Sequence, residues 1–310
     1  MEARLALRSL FTWFVLVSSI SGVTCGAGLA SYTRQEDVVY GRKDGMALTM
    51  DILKPTGKAN GAAVIWVVSG GYYSSHEAIN PVFVSIFLNR GYTVFAVVHG
   101  SQPRYTIPDA IADLNRSVRY IRYHAKEFGI DPNRIGITGG SAGGHLSLMQ
   151  GMAGDLGNPK AKDPVDRTSS RVQAVACFFP PTDFLNYGTP GNVALGTGIL
   201  KDFPAPFEFR EYSQKKKCFV PITDEKRMLE IGRQISPVNQ VSPDDPPTLI
   251  FHGDADNLVP IQQAELVVKK LKEAGVPAEL KIKKGAGHGW LTLPLDLTTI
   301  ADWFDKYLSK

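Results

Sequence analysis

Ser141 stands in Gly139-Gly140-Ser141-Ala142-Gly143, a G-x-S-x-G arrangement. In this pattern a strand bends sharply into a helix and pushes a serine hydroxyl into open space, with small flanking residues because a β-carbon there would press on the neighbouring strand or helix. A hydroxyl is a weak nucleophile unless a base takes its proton and an acid orients the base. Of the six histidines, His288 stands apart in Gly285-Ala286-Gly287-His288-Gly289-Trp290, a glycine-bounded loop able to carry an imidazole over the sheet edge. His124 and His145 fall inside helix patterns and read as packing or surface residues, and His252 ends a strand in a structural role. His76 and His99 lie on loops at the same end of the sheet as Ser141, where they can line a pocket. The acid should come from a strand end, which leaves Asp254, Asp256 and Asp183 as candidates.

These groups need a frame that brings strand ends together. Val38–Tyr40 and Ala47–Leu53 read as an antiparallel hairpin around Arg42-Lys43-Asp44-Gly45. Continuous apolar runs at Ala62–Val68, Thr93–Val98, Arg134–Thr138, Val172–Phe179 and Thr248–His252, with a last strand at Glu279–Lys283, suit strands buried on both faces of a parallel sheet. Helices are predicted at about Pro81–Arg90, Ile107–Phe128, Ala142–Gly151, Ile261–Ala274 and Asp296–Leu308. The second is the best marked: Ile107, Ile111, Leu114, Val118 and Ile121 form one stripe, Thr106 with Asp109 caps the start, and Gly129 ends it. Alternating strands and helices predict a mostly parallel sheet covered on both faces, with ligands at the carboxyl ends of the strands. Between Asn186 and Val241 the alternation dissolves into Gly, Pro, Phe and Lys without a period, which reads as a lid inserted over the site rather than a second domain.

In chain order, G-x-S-x-G, then His252-Gly253-Asp254-Ala255-Asp256-Asn257-Leu258-Val259-Pro260 as H-G-x-x-D-x-x-V-P, then Gly287-His288-Gly289 resemble α/β-hydrolases of the esterase/lipase type. The likeness is to the prolyl-oligopeptidase-like and hormone-sensitive-lipase-like branch, and it covers nearly everything from Val38 to Leu308. It implies an α/β-hydrolase fold with Ser141 as nucleophile, His288 as general base and Asp256 as the acid; Asp254 becomes a loop residue and Asp183 a lesser candidate. It also implies an oxyanion hole after an early strand, where the family has His-Gly-Gly and this chain has Ser69-Gly70-Gly71-Tyr72-Tyr73. The expected donors are the backbone N–H groups of Gly71, Tyr72 and Ala142, which survive the change to Ser69 because they are main-chain. Tyr73, His99 and the lid are expected to contact substrate. The chemistry implied is serine esterase action on small-molecule or polysaccharide esters, acetyl or feruloyl groups among them, with no metal or organic cofactor. An oligopeptidase lacks room here for its propeller domain. A kynurenine-formamidase-like amidase shares the Gly-Gly-Tyr stretch but fits a secretory leader poorly, and a non-catalytic binding protein on this fold would usually have lost a triad residue.

The chain has 310 residues, 44% hydrophobic and 21% charged, enough for one large α/β domain. A net charge of +4 with scattered basic residues leaves no nucleic-acid footprint, and Lys215-Lys216-Lys217 reads as a solvated loop. Arg4 and Arg8, the apolar run Leu10–Ile20 and the small residues that follow have the plan of a signal peptide over residues 1–25, ahead of a hydrolase domain at 26–310. This predicts a secreted or periplasmic protein without a membrane span after cleavage; the alternative is an uncleaved anchor. Of the cysteines beyond the leader, Cys177 sits in an apolar strand where a thiol packs as a small hydrophobe, although export would allow it to pair with Cys218.

Overall fold

A computed structural model describes residues 31–309, so the leader read in residues 1–25 lies outside the described residues. The first hairpin joins β1 (Tyr32–Lys43) to β2 (Met46–Pro55) through Asp44 and Gly45. Both turn residues take positive φ, 49° and 79°, the conformation that a two-residue hairpin turn demands. Both strands run longer than the sequence pattern suggests, because the antiparallel ladder continues past the alternating stretch.

The alternating part follows as β3 (Ala63–Val68), α1 (Pro81–Asn89), β4 (Thr93–Val98), α2 (Ile107–Tyr123), α3 (Ala125–Phe128), β5 (Ile135–Gly140), α4 (Ala142–Met152) and β6 (Ala174–Phe178). A small antiparallel hairpin, β7 (Arg210–Ser213) and β8 (Cys218–Pro221), and α5 (Glu225–Gln234) come next. The chain closes with β9 (Thr248–Gly253), α6 (Gln262–Glu273), β10 (Ala278–Lys283) and α7 (Leu293–Leu308). Eight strands form one sheet in the order β1-β2-β4-β3-β5-β6-β9-β10. From β4 to β10 every pairing is parallel, and β2 joins β4 antiparallel. This is the α/β-hydrolase architecture, and it places β5, with Ser141 at its end, in the middle of the sheet.

Each face of the sheet has its own core. Residues of α2, α4 and α6 pack on one side with Ile65, Ile137 and Ile250; those of α1 and α7 pack on the other with Val64, Ala176 and Leu249. Adjacent strand residues thus point into opposite cores, which is why these strands read as unbroken apolar runs. The α2 stripe is buried as its spacing predicts: Ile107, Leu114, Val118 and Ile121 are each inaccessible or nearly so, worth about 1.5–3 kcal/mol apiece. Thr106 and Asp109 form the expected capping box. The expected single helix to Phe128 divides at His124, whose ring packs on Tyr120 at 4.4 Å and Tyr123 at 4.9 Å, and Gly129 ends the second piece with φ 73°.

The segment 186–241 holds more regular structure than its composition suggests. Asp224 caps α5 by accepting a hydrogen bond from the Arg227 N–H (2.8 Å), and Met228, Ile231 and Ile235 follow at helical spacing. That period was present in the sequence but diluted by the charged residues that cover the helix's outer face. Cys177 is buried and Cys218 exposed, both as free thiols; burial pushes the Cys177 thiol's pKa up. No helix among the described residues is long and apolar enough to cross a membrane.

Candidate active site

The elbow at the end of β5 is built by close backbone approach. Ser141 takes φ 54° and ψ −119°, a strained region for a residue with a side chain, and its N–H donates to the Phe178 carbonyl (3.0 Å). A β-carbon on Gly139 would lie 2.7 Å from the Gly143 backbone, and one on Gly143 2.9 Å from the Val67 carbonyl. Both positions therefore exclude side chains, for the steric reason read from the motif.

From this elbow a line of hydrogen bonds runs to the acid. Ser141 Oγ lies 2.8 Å from His288 Nε2, and His288 Nδ1 lies 2.7 Å from Asp256 Oδ2. A carboxylate can only accept, so Nδ1 carries the ring proton and Nε2 is left to accept from the serine hydroxyl. The second Asp256 oxygen accepts from the N–H groups of Leu258 and Val259, both at 2.9 Å. Burial alone would raise the Asp256 pKa. The hydrogen bond and charge of His288, with the two backbone N–H groups, outweigh it and hold the carboxyl below the ordinary aspartate value. His252 stands 3.6 Å from the same carboxylate but is turned to the Val259 carbonyl (2.7 Å). Burial, with the nearby His288, lowers the His252 pKa against the opposing pull of the Val259 carbonyl and Asp256, in keeping with the structural role read for it.

The loop carrying His288 is firmly docked, where its glycines alone suggest flexibility. Asp254 Oδ1 accepts from the Gly285 N–H (2.6 Å), and the Ala255 N–H donates to the Ala286 carbonyl (3.0 Å). Gly253 lets the two backbones meet, since a β-carbon there would sit 2.2 Å from the Ala286 oxygen. Phe179 covers the imidazole at 4.5 Å between ring centroids, and Trp290 packs on Phe179 while its indole N–H donates to Asp296 (2.7 Å). Asp254 thus fastens the loop without reaching the imidazole. Asp183 folds its own turn, accepting from the N–H groups of Leu185 and Asn186 (3.0 and 3.2 Å).

After β3, Gly70 and Tyr73 exchange backbone hydrogen bonds (3.0 and 2.9 Å) across Gly71 and Tyr72, whose φ angles are 54° and 65°. The N–H groups of Gly71 and Tyr72 make no hydrogen bond among the described residues. The Gln102 side chain, invisible to motif reading, donates to the Gly71 carbonyl (2.8 Å), and the Gln102 N–H donates to the Tyr72 carbonyl (3.1 Å). In a trans peptide the carbonyl of one residue and the N–H of the next point in opposite directions. Fixing the Gly71 carbonyl therefore aims the Tyr72 N–H.

His99, expected to contact substrate, is buried behind this loop with both ring nitrogens engaged: Nδ1 donates to the Gly100 carbonyl and Nε2 accepts from Ser69 Oγ, each at 2.9 Å. Burial pushes its pKa down to about 4, so it is neutral, and it props Ser69 instead of lining a pocket. His145 is likewise buried, with its pKa lowered to about 4, bridging the Tyr72 hydroxyl (3.1 Å) to the Ile235 carbonyl (2.7 Å). Tyr73 is half-buried beside the turn. Segment 186–241 reaches the same turn through Phe203, whose ring lies about 3 Å from where a Gly71 β-carbon would stand, and Phe207, whose ring meets Tyr72 at 6.5 Å.

His76 sits elsewhere, 3.3 Å from Asp51 at the β1–β2 edge. With Glu36 these groups cluster within 4.8 Å as metal-type ligands, but Arg34 already holds Asp51 through Nε at 2.6 Å, so the carboxylate has a cation.

The BD-FAE family profile matches residues 50–271. Among curated proteins, the probable carboxylic ester hydrolase LipM of Mycobacterium tuberculosis is 29% identical over 249 residues, 78% of this chain and 52% of that protein. Esterase LipC of the same organism is 26% identical over 265 residues, 84% of this chain and 60% of that protein. The chain thus spans little more than half the length of these relatives. Among solved structures, a truncated carbohydrate esterase from gut microbiota superposes with a TM-score of 0.73 at 26% identity, covering 92% of this chain and 99% of that one. The acetyl ester-xyloside bifunctional hydrolase of Caldicellulosiruptor lactoaceticus gives 0.67 at 25% identity, with 91% and 96% covered. With the matched profile running from β2 through most of α6, and therefore through both the serine elbow and the strand end bearing Asp256, the chain belongs to the BD-FAE family.

Proposed function

We propose that this protein is a serine esterase that hydrolyses carboxylic esters, with Ser141 as nucleophile, His288 as general base and Asp256 as the orienting acid. The observation that carries the reading is the unbroken line Ser141 Oγ to His288 Nε2 to Asp256 Oδ2, at 2.8 and 2.7 Å. Ser141 attacks the ester carbonyl as His288 takes its proton. Asp256, with its own charge spread over two backbone N–H groups, stabilises the imidazolium. The N–H groups of Gly71, Tyr72 and Ala142 receive the charge that develops on the carbonyl oxygen, each donor contributing about 3–4 kcal/mol to the barrier reduction. His288 returns the proton to the departing alkoxide, and water, activated by the same imidazole, releases the acid from the acyl-enzyme. Carbohydrate and acetyl esters are the favoured substrates, since the neighbours of known structure include a carbohydrate esterase and an acetyl ester hydrolase. The leader read in residues 1–25 makes export part of the proposal, and segment 186–241 acts as the lid, bringing Phe203 against the oxyanion turn.

Fluorophosphonate labelling tests the assignment. The wild-type protein should label rapidly, Ser141→Ala should not label, and Asp256→Asn should cut turnover of p-nitrophenyl acetate by about 10³–10⁴. Asp254→Asn should cost far less. Equal labelling of Ser141→Ala, or a larger loss from Asp254→Asn, refutes it.

A further inference from the structure

A cleft of about 1090 Å³ opens between the β1–β2 hairpin, the first turns of α2 and the β7–β8 hairpin with α5. None of Ser141, His288, Asp256, Gly71 or Tyr72 lines it. It follows α2 from Thr106 to Tyr120, a length of about 20 Å at the helical rise, long enough for an extended chain. It begins on the same side of the sheet as the nucleophile, because the start of α2 follows the carboxyl end of β4, just as Ser141 follows that of β5.

The lining has three features. Tyr105 lines the cleft and is 3% exposed, yet its hydroxyl makes no hydrogen bond among the described residues, an orphaned polar group just beneath the cavity wall. Its ring is closely packed: Lys43 Nζ lies 4.5 Å from the centroid, and the backbone at Gly100 approaches so closely that a β-carbon there would be 2.7 Å from the ring. Secondly, Phe219 on β8 is 64% exposed, with an edge contact to Tyr212 and the Arg210 guanidinium 5.6 Å from its centroid. Thirdly, the lining charges nearly balance, five basic groups (Arg42, Lys43, Arg116, Arg210, Arg227) against six acidic ones. Lys43 is paired with Asp109 and Asp113, and Arg116 with Asp163 and Asp166, while Arg42, Arg210, Asp44 and Glu211 have no ion-pair partner among the described residues.

A long slot whose charges of both signs nearly cancel offers little to attract a polyanion or a polycation. Exposed and half-hidden aromatic faces between donors and acceptors of both signs suit a ligand whose rings have apolar C–H faces and hydroxyl edges. We propose that this cleft is a binding subsite for a neutral oligosaccharide chain, with Phe219 stacking on a sugar ring and the Tyr105 hydroxyl bonded to a sugar hydroxyl. This rests on the esterase reading only in its use: for a polysaccharide ester, binding remote from the reacting bond lets the main chain be held while a side group reaches Ser141.

The test is calorimetric titration of the full Ser141→Ala chain with xylohexaose, cellohexaose and mannohexaose, none of which carries an ester. At least one should bind, and Tyr105→Phe and Phe219→Ala, each added to that background, should weaken the binding by about two- to tenfold. Tyr105→Phe deletes a single oxygen and Phe219 is exposed, so both variants should keep the fold. If none of the three sugars binds, or if binding is indifferent to both substitutions, the proposal is overturned. Because no ester is involved, absence of fluorophosphonate labelling or turnover in the wild-type protein would defeat the esterase reading and leave this result standing.

Discussion

Replacing Gln102 by Met removes the donor to the Gly71 carbonyl while keeping the length and bulk of a side chain that is buried behind the oxyanion turn. The Gln102 N–H still donates to the Tyr72 carbonyl at 3.1 Å, so the turn keeps one of its two ties. What is lost is the constraint on the Gly71–Tyr72 peptide plane, and with it the aim of the Tyr72 N–H. A whole oxyanion donor is worth about 3–4 kcal/mol. A donor that is present but loosely aimed should forfeit part of that, about 1–2 kcal/mol, which is a fall in kcat of about 5- to 30-fold. The unpaired Gly71 carbonyl also costs stability, about 1–3 kcal/mol. The assay is steady-state hydrolysis of p-nitrophenyl acetate beside a denaturant titration. The expected result is a fall in kcat with KM nearly unchanged, since the donor acts on charge that exists only in the transition state. Loss of stability with kcat intact would reduce Gln102 to a scaffold residue, and a rise in KM at constant kcat would refute the argument.

Two further outcomes follow from the geometry. Gly253→Ala places a β-carbon 2.2 Å from the Ala286 oxygen, forcing the His288 loop away; kcat should fall at least about tenfold, whereas Gly57→Ala, which meets open space, should behave as wild type. Equal activity in the two variants would show that the loop needs no such close docking. Stability should also fall as pH drops from about 6.5 to 4, because His99 and His145 have folded-state pKa values of about 4 and the unfolded chain binds more protons throughout that window. Each contributes up to about 3 kcal/mol of that loss. Denaturant titrations across the window should show a shallower slope for His145→Asn, and an unchanged slope would remove His145 as a contributor.

Features of this protein whose cause is local can be read along the chain. Gly139 and Gly143 announce the elbow because the clash they avoid involves only the turn and the strand beside it. Unbroken apolar runs and the α2 stripe announce the parallel sheet and its cover, since burial on two faces or on one leaves its period in the chain. Ser141 and His288 stood out for the same reason, each in a short glycine-bounded motif at a strand end, whereas Asp256 was singled out from Asp254 and Asp183 only by the family resemblance. Contacts between segments far apart in sequence emerge only in the folded chain. Nothing near Gln102 says that its amide meets Gly71, nothing near Asp254 that it fastens Gly285, and nothing near His99 that both its nitrogens are taken by Ser69 and Gly100. Loops have no period, so their residues show their work only once the sheet has brought the strand ends, and the loops that leave them, to one rim. The cleft beside α2 is the extreme case, being made of walls from the first hairpin, α2 and the late β7–β8 insertion that meet only in the folded chain.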